Sequence, residues 1–284
     1  MPFVTSKEML LKAQREGYAV GAFNAENMEM VQAIIEAAEE EKAPVIIQTT
    51  PSTIAYANVR LYRAMVQVEA DKASVPVAIH LDHGDSYELC KEAIAAKYTS
   101  VMIDGSKLSF EENIAVTKKV VEATRKTNIG VEAELGTIGG KEDSHEVLEK
   151  DALYTNPQQA EELVCRTGVQ SLAVAIGTAH GFYKGEPKLD FECLAKIAEV
   201  VKIPLVLHGA SGVPDEAVKQ SIRLGICKVN FATELRVAYT QGVRSILSTD
   251  DKVYDPKKYG TAGRATVKAL VQEKIRVCGS SGKA

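Results

Sequence analysis

Three of the five histidines in this 284-residue chain are each followed by glycine: His83-Gly84, His180-Gly181 and His208-Gly209. A neutral imidazole offers one nitrogen lone pair to a cation. Three such rings with an open fourth position make a catalytic zinc site rather than a closed structural one. The separations are far too long for a zinc finger, so only a fold that gathers distant loops can assemble this site. Asp82 adjoins the first histidine, and Asp104, Glu132 and Glu134 fall between the first and the second. Carboxylates in such surroundings accept the ring protons of ligand histidines, serve as acid or base, or offer an alternate metal position. The other two histidines read differently: His80 lies inside an apolar run, as a hydrogen-bonded core residue, and His145 lies in a polar stretch, as a solvated one.

Something must bring these residues together, and the hydrophobic pattern supplies it. Short apolar, β-rich runs alternate with longer amphipathic stretches along the chain. The strand candidates are Tyr18 to Phe23, Val45 to Thr49, Val77 to Leu81, Ser100 to Asp104, Gly130 to Glu134, Ser171 to Ile176, Leu205 to His208 and Cys227 to Phe231. Thr5 with Glu8 suggests a capping box, Gly17 a helix stop, and Val213-Pro214-Asp215 a helix entry. Pro44, Pro76 and Pro204 precede strands, where a missing N-H costs least. Eight apolar strands joined by helices predict a parallel sheet closed into a (β/α)8 TIM barrel of the α/β class, one domain over residues 1–284. An open doubly wound sheet is the alternative, but the first turn lacks a Gly-x-Gly-x-x-Gly fingerprint. In a barrel, chemistry sits on the loops that follow the strands. There the sequence puts Asp82, His83, Asp104, Glu132, Glu134, His180, His208 and Asn230.

Composition narrows the function classes. With 45% hydrophobic and 25% charged residues the chain reads as an ordinary globular protein. A net charge of −4 with no long Lys/Arg run argues against nucleic acid and anionic lipid as partners. No apolar run approaches the roughly 20 residues of a membrane span, and the first residues do not read as a signal peptide, so a cytoplasmic location is expected. The five cysteines are scattered without a Cys-x-x-Cys pair, which predicts reduced thiols.

If the ligand is an anion, local geometry must capture it. After the seventh strand, His208-Gly209-Ala210-Ser211-Gly212 offers small residues whose backbone N-H groups can approach a phosphate. After the eighth, Asn230-Phe231-Ala232-Thr233 opens a helix with a hydroxyl and exposed amides. These two loops are the usual phosphate site of a barrel. Gly136 to Ser144, polar and glycine-rich after the fifth strand, reads as a mobile lid carrying Glu142.

At these residues the sequence resembles the class II fructose- and tagatose-bisphosphate aldolase family, from about Phe3 to the Cys278-Gly279 region. The carrying strings are Ala78 to Gly84, Glu132 to Gly136, Ile176 to Gly181, Leu207 to Gly212 and Lys228 to Glu234. The resemblance implies a zinc ion held by His83, His180 and His208, with Asp82 exchanging the proton of the aldehyde-derived oxygen. Dihydroxyacetone phosphate would lie on Gly181, Gly209, Ala210, Ser211, Asn230, Phe231, Ala232 and Thr233. Glu142 matches the lid glutamate that removes the carbon-bound proton, and a monovalent cation (Na+ or K+) near the phosphate belongs to the same picture. Many fructose-bisphosphate aldolases carry aspartate where this chain has Ala232, so the string leans toward tagatose 1,6-bisphosphate, with fructose 1,6-bisphosphate as the alternative. A homo-oligomer, dimer or tetramer, is expected, and the tagatose branch adds a companion non-catalytic subunit as a partner.

Three other readings stay open at this level. A metal-dependent hydrolase on the same barrel would favour a His-x-His pair at the end of the first strand, where this chain has Ala22-Phe23-Asn24. A Schiff-base aldolase would need a desolvated lysine, and Lys228 is the one candidate. A catalytically silent sugar-phosphate binder would have no need of Asp82 and Glu142.

Overall fold

The structure, a computed structural model, describes residues 3–142, 145–147, 153–183, 185 and 187–284, with backbone alone at 141, 142 and 145–147. The first half runs α1 (Ser6–Glu16), β1 (Val20–Asn24), α2 (Met28–Glu41), β2 (Val45–Thr49), α3 (Pro51–Ala57), α4 (Val59–Ala70), β3 (Val77–Gly84), α5 (Tyr87–Ala95), β4 (Ser100–Ile103) and α6 (Phe110–Thr124). It continues with β5 (Gly130–Leu135), β6 (Gly139–Glu142), β7 (His145–Val147), α7 (Pro157–Thr167), β8 (Ser171–Val174), β9 (Ala179–His180) and α8 (Phe191–Val200). Then come β10 (Leu205–Leu207), α9 (Asp215–Arg223), β11 (Ile226–Phe231), α10 (Thr233–Leu247) and α11 (Pro256–Val277). Eight strands pair in parallel in the order β1-β11-β10-β8-β5-β4-β3-β2 and close on β1, forming a (β/α)8 barrel.

Local chemistry accounts for the element boundaries. Thr5 caps α1 by accepting from the Lys7 amide, and Gly17 ends that helix in the left-handed region, as the sequence suggests. The reciprocal half of the expected box is absent, because Glu8 accepts from the Asn128 side chain instead. The complete capping box is Ser109 with Glu112 at α6. The expected first strand begins two residues late, at Val20, because Tyr18 still belongs to the turn that leaves α1. His208 lies just beyond β10 rather than in it.

The inner and outer faces of the strands differ, as a period of two requires. Ile47, Ile79, Val101, Val131 and Val229 point outward into the main apolar cluster under the helices. Val20, Ala22, Ile46 and Ala78 point inward and pack with Met9, Leu10 and Ala13 of α1, which plugs one end of the barrel. Toward the strand C-terminal ends the interior turns polar: Asn24, Gln48, His80, Asp82, Glu132, Glu134, Lys228 and Asn230 are all buried. The sequence reading treats these strands as apolar, which holds for the face under the helices but not for the interior. Leaving one such polar group unpaired costs roughly 1–3 kcal/mol, so this upper layer persists only as a connected network.

Within the segment read as a lid after β5, Gly139–Glu142 form a strand, and residues 143 and 144 lie outside the described residues. Strand β6 pairs antiparallel with β7 and parallel with β9, a small three-stranded sheet laid over the mouth of the barrel. His145 belongs to β7 rather than to a loop.

Candidate active site

The three histidines converge at the mouth. One ring nitrogen from each of His83, His180 and His208 forms a group whose atoms all lie within 4.8 Å of one another. The ring of His83 stands nearly perpendicular to those of His180 and His208, with centroids 5.0 and 4.7 Å away. Local backbone sets these positions. The β3–β4 register shifts between Leu81 and Gly84, and His83 sits there with φ +48°, a conformation that costs a non-glycine residue about 1–3 kcal/mol. Gly209, at φ +63°, lets the backbone beside His208 pass the Ala179 carbonyl, which a Cβ would meet at 2.6 Å.

The hydrogen bonds fix which nitrogen of two rings faces inward. His83 Nδ1 lies 3.0 Å from Asp104 Oδ2, and His208 Nε2 lies 2.9 Å from Glu132 Oε1. A carboxylate only accepts, so the proton of each neutral ring is drawn to that outer nitrogen. His83 Nε2 and His208 Nδ1 then face each other as lone pairs 3.0 Å apart, an arrangement that a cation between them satisfies. Burial holds the His208 ring below its ordinary pKa despite the Glu132 hydrogen bond, which keeps it neutral. Burial alone would raise Asp104, but the hydrogen bonds from His83 and Ser106 outweigh it and hold the carboxyl far below its usual range. The donor set therefore fits a divalent ion. A second group, His83 with Asp104 and Glu134, could also hold one.

Asp82 sits in a cradle of amides. Asn24 Nδ2 donates to Oδ2 at 3.0 Å, and Asn230 Nδ2 donates to Oδ1 at 3.1 Å. Gln48 in turn donates to Asn24 Oδ1 at 2.9 Å.

Beside the histidines a cavity is lined by His180, Gly181, Gly209, Ser211, Asn230, Ala232, Thr233 and Arg236. The sequence-derived phosphate residues thus meet there, with two differences. Ala210 and Phe231 are buried in the apolar core, and the Phe231 ring stacks on Phe23 at 5.5 Å, so any contact to a ligand would be through backbone. The Ser211 hydroxyl accepts from the amides of Ala232 and Glu234, taking up two of the donors expected to be exposed at the start of α10.

Residues 4–283 match the family described as Fructose-bisphosphate aldolase class-II. The chain belongs to the class II fructose-bisphosphate aldolase family.

Two curated members are similar over the full chain. A fructose-bisphosphate aldolase of Geobacillus stearothermophilus is 48% identical, covering 100% of this chain and 99% of its own. One of Staphylococcus aureus (strain Mu50 / ATCC 700699) is 46% identical, covering 100% of both. Among solved structures, the YdjI aldolase from Escherichia coli K12 superposes with a TM-score of 0.88 at 39% identity over 99% of both chains. A putative fructose-1,6-biphosphate aldolase from Coccidioides immitis gives 0.89 at 32% identity, over 97% of this chain and 96% of that one. This is an aldolase, a carbon–carbon lyase, and its class is metal-dependent.

Within this class II aldolase, Lys228 is not placed for imine chemistry. Its side chain is fully buried and its ammonium nitrogen lies 2.9 Å from Glu132 Oε2. Sequence reasoning missed Asn24, Gln48, Tyr183 and Arg236. The signal for the first two is a polar residue in phase with the inner face of an otherwise apolar strand. Arg236 brings a positive charge to the cavity and is paired with Glu26. The backbone of Glu142 ends β6, but its side chain lies outside the described residues. Among the described residues, no helix is long and apolar enough to cross a membrane.

Proposed function

We propose that this aldolase reversibly cleaves a ketose 1,6-bisphosphate between C3 and C4, giving dihydroxyacetone phosphate and glyceraldehyde 3-phosphate, with zinc as the ion on His83, His180 and His208. The observation that carries this reading is the three-imidazole cluster, its inner lone pairs set by Asp104 and Glu132, beside the buried carboxylate of Asp82. Fructose 1,6-bisphosphate is the leading substrate, because the relatives at 48% and 46% identity are fructose-bisphosphate aldolases. Ala232 in the cavity favours tagatose 1,6-bisphosphate as the second reading, since many fructose enzymes have aspartate there. A monovalent cation beside the phosphate would fit either.

His83, His180 and His208 would hold the divalent ion, which would supply Lewis-acid polarisation of the ketose carbonyl and so favour cleavage of the C3–C4 bond. Asp82 takes the proton of the C4 hydroxyl as that oxygen becomes the aldehyde carbonyl, and it returns the proton in condensation. Asn24 and Asn230 hold both of its oxygens, so the carboxylate keeps its direction through the exchange. Glu142, brought in by the small sheet over the mouth, delivers a proton to C3 in cleavage and removes it in condensation. Gly181, Gly209, Ser211 and Thr233 line the cavity that would bind the phosphate of the dihydroxyacetone half, with Arg236 adding charge. Asp104, Glu132 and Glu134 orient the ligand histidines.

The test is a comparison of kcat/KM for fructose and tagatose 1,6-bisphosphate, with and without chelator, together with elemental analysis. Cleavage of either sugar that stops on chelation and returns with zinc supports the proposal. An active, metal-free protein indifferent to EDTA refutes it. A higher kcat/KM for tagatose would transfer the assignment to the second reading.

A further inference from the structure

The interior below the metal cluster holds an ion pair in which the proposed chemistry uses Glu132 and leaves Lys228 without a role. Lys228, on β11, and Glu132, on β5, are both buried, with Nζ 2.9 Å from Oε2. The other carboxylate oxygen, Oε1, lies 2.9 Å from His208 Nε2. The same carboxylate therefore links a buried ammonium to a histidine of the cluster.

The two oxygens of a carboxylate share a plane, so fixing one fixes the aim of the other. An ammonium donates and never accepts, and Oε2 is its acceptor. Below, the ammonium is steadied by His80, whose Nε2 is 3.5 Å away, while His80 Nδ1 meets the Ser100 hydroxyl at 2.7 Å. Ser6 of α1 donates to that hydroxyl at 2.7 Å. A polar column thus runs from the helix that plugs the barrel to the edge of the metal cluster. Burying Glu132 without a counter-charge would be expensive, and a released carboxylate would have an alternative donor close by if the His80 proton moved to Nε2, 3.7 Å from Oε2.

We infer that Lys228 is a positioning residue for the metal centre, holding Glu132 so that it fixes the His208 ring proton on Nε2 and presents Nδ1 to the cation. This rests on the metal-binding part of the proposed function and not on the choice of sugar. The role is electrostatic as well as geometric. Next to Glu132 the ammonium is neutralised; beside a neutral residue it would repel a nearby divalent ion.

That dependence gives a sign reversal to measure. Apo protein is prepared by dialysis against chelator, and Zn2+ affinity is read by competition with a chromophoric chelator, with no sugar present. K228M is expected to bind Zn2+ about 10- to 100-fold more weakly than the unsubstituted chain, and to shift the visible d–d bands of the Co2+-loaded form. In the E132Q background the effect should invert: K228M/E132Q binds more tightly than E132Q alone. If K228M does not fold, the E132Q pair decides. A K228M affinity within about twofold of the parent with unchanged Co2+ bands, or a double variant weaker than E132Q, overturns the inference. An unsubstituted chain that binds neither metal overturns it together with the proposed function. A chain that shows the reversal yet cleaves neither sugar refutes only the function.

Discussion

The hydroxyl of Tyr183 donates to the Gly209 carbonyl at 2.7 Å and accepts from the Ala179 amide at 2.7 Å, so one side chain braces the loops that carry His180 and His208. The brace is largely hidden from water, and burial pushes the phenol up to about 12, which keeps its proton in place at any working pH. Y183F removes both hydrogen bonds and leaves an amide and a carbonyl unmet. The expected cost is about 1–3 kcal/mol of stability. Because the bonds join two loops of the metal cluster, Zn2+ affinity should fall as well. Calorimetry and chelator competition read the two effects. A variant that melts lower but binds zinc as the parent does would limit Tyr183 to stability.

Asp82 is held from two sides, and this predicts a graded series. D82A should lose about 10²-fold or more in turnover with metal content unchanged, since it removes a proton-transfer group but no ligand. N24A should lose less, because Asn230 still holds the other oxygen. Steady-state kinetics with metal analysis separate the cases. Normal turnover in D82A would remove that residue from the reaction.

All five cysteines are free thiols, and their reactivity should divide sharply. Burial pushes Cys90 and Cys278 up to about 12 and Cys227 up to about 11. The thiolate is the nucleophile, and a raised pKa means that it forms only as pH climbs toward those values. At pH 8 only about 10⁻⁴ of Cys90 would be ionised. Iodoacetamide at pH 8 should therefore label the exposed Cys165 first and leave Cys90, Cys227 and Cys278 unmodified until the protein is unfolded. Peptide mass spectrometry reads the order. Early labelling of Cys90 in the folded protein would contradict the packing around β3.

Much of this architecture is legible in the sequence because barrel strands and helices announce themselves by period and by caps. The three histidines stand out because each precedes a glycine at a strand end. What escapes is the inward face. A lone Asn24 or Gln48 in an apolar strand looks like an edge residue until closure of the barrel points Asn24 at Asp82 and sets Gln48 behind it, donating to Asn24. Lys228 reads equally well as a Schiff-base lysine until its partner Glu132, 96 residues away in sequence, is seen beside it. The small sheet over the mouth is hidden for another reason. Its strands are short, its central strand β6 begins with two glycines, and β6 pairs with β9, whose existence depends on the path of the His180 loop.

That last pairing yields a prediction at a distance from the reactive groups. Gly140, on β6, has φ +93° and lies against the backbone of His180, so closely that an added Cβ would overlap the His180 carbonyl and amide. G140A must therefore either move β6 off the mouth or push His180 out of the cluster, and both hurt catalysis. The strain of an alanine in the left-handed region is itself about 1–2 kcal/mol, which a control can isolate. Gly17 has φ +70° with open space around its missing Cβ, so G17A carries the backbone strain without the collision. Both variants should melt at lower temperature, but only G140A should lose zinc affinity or turnover. Equal activity in the two would mean that β6 yields without disturbing His180, and the small sheet would then have no part in holding the metal centre.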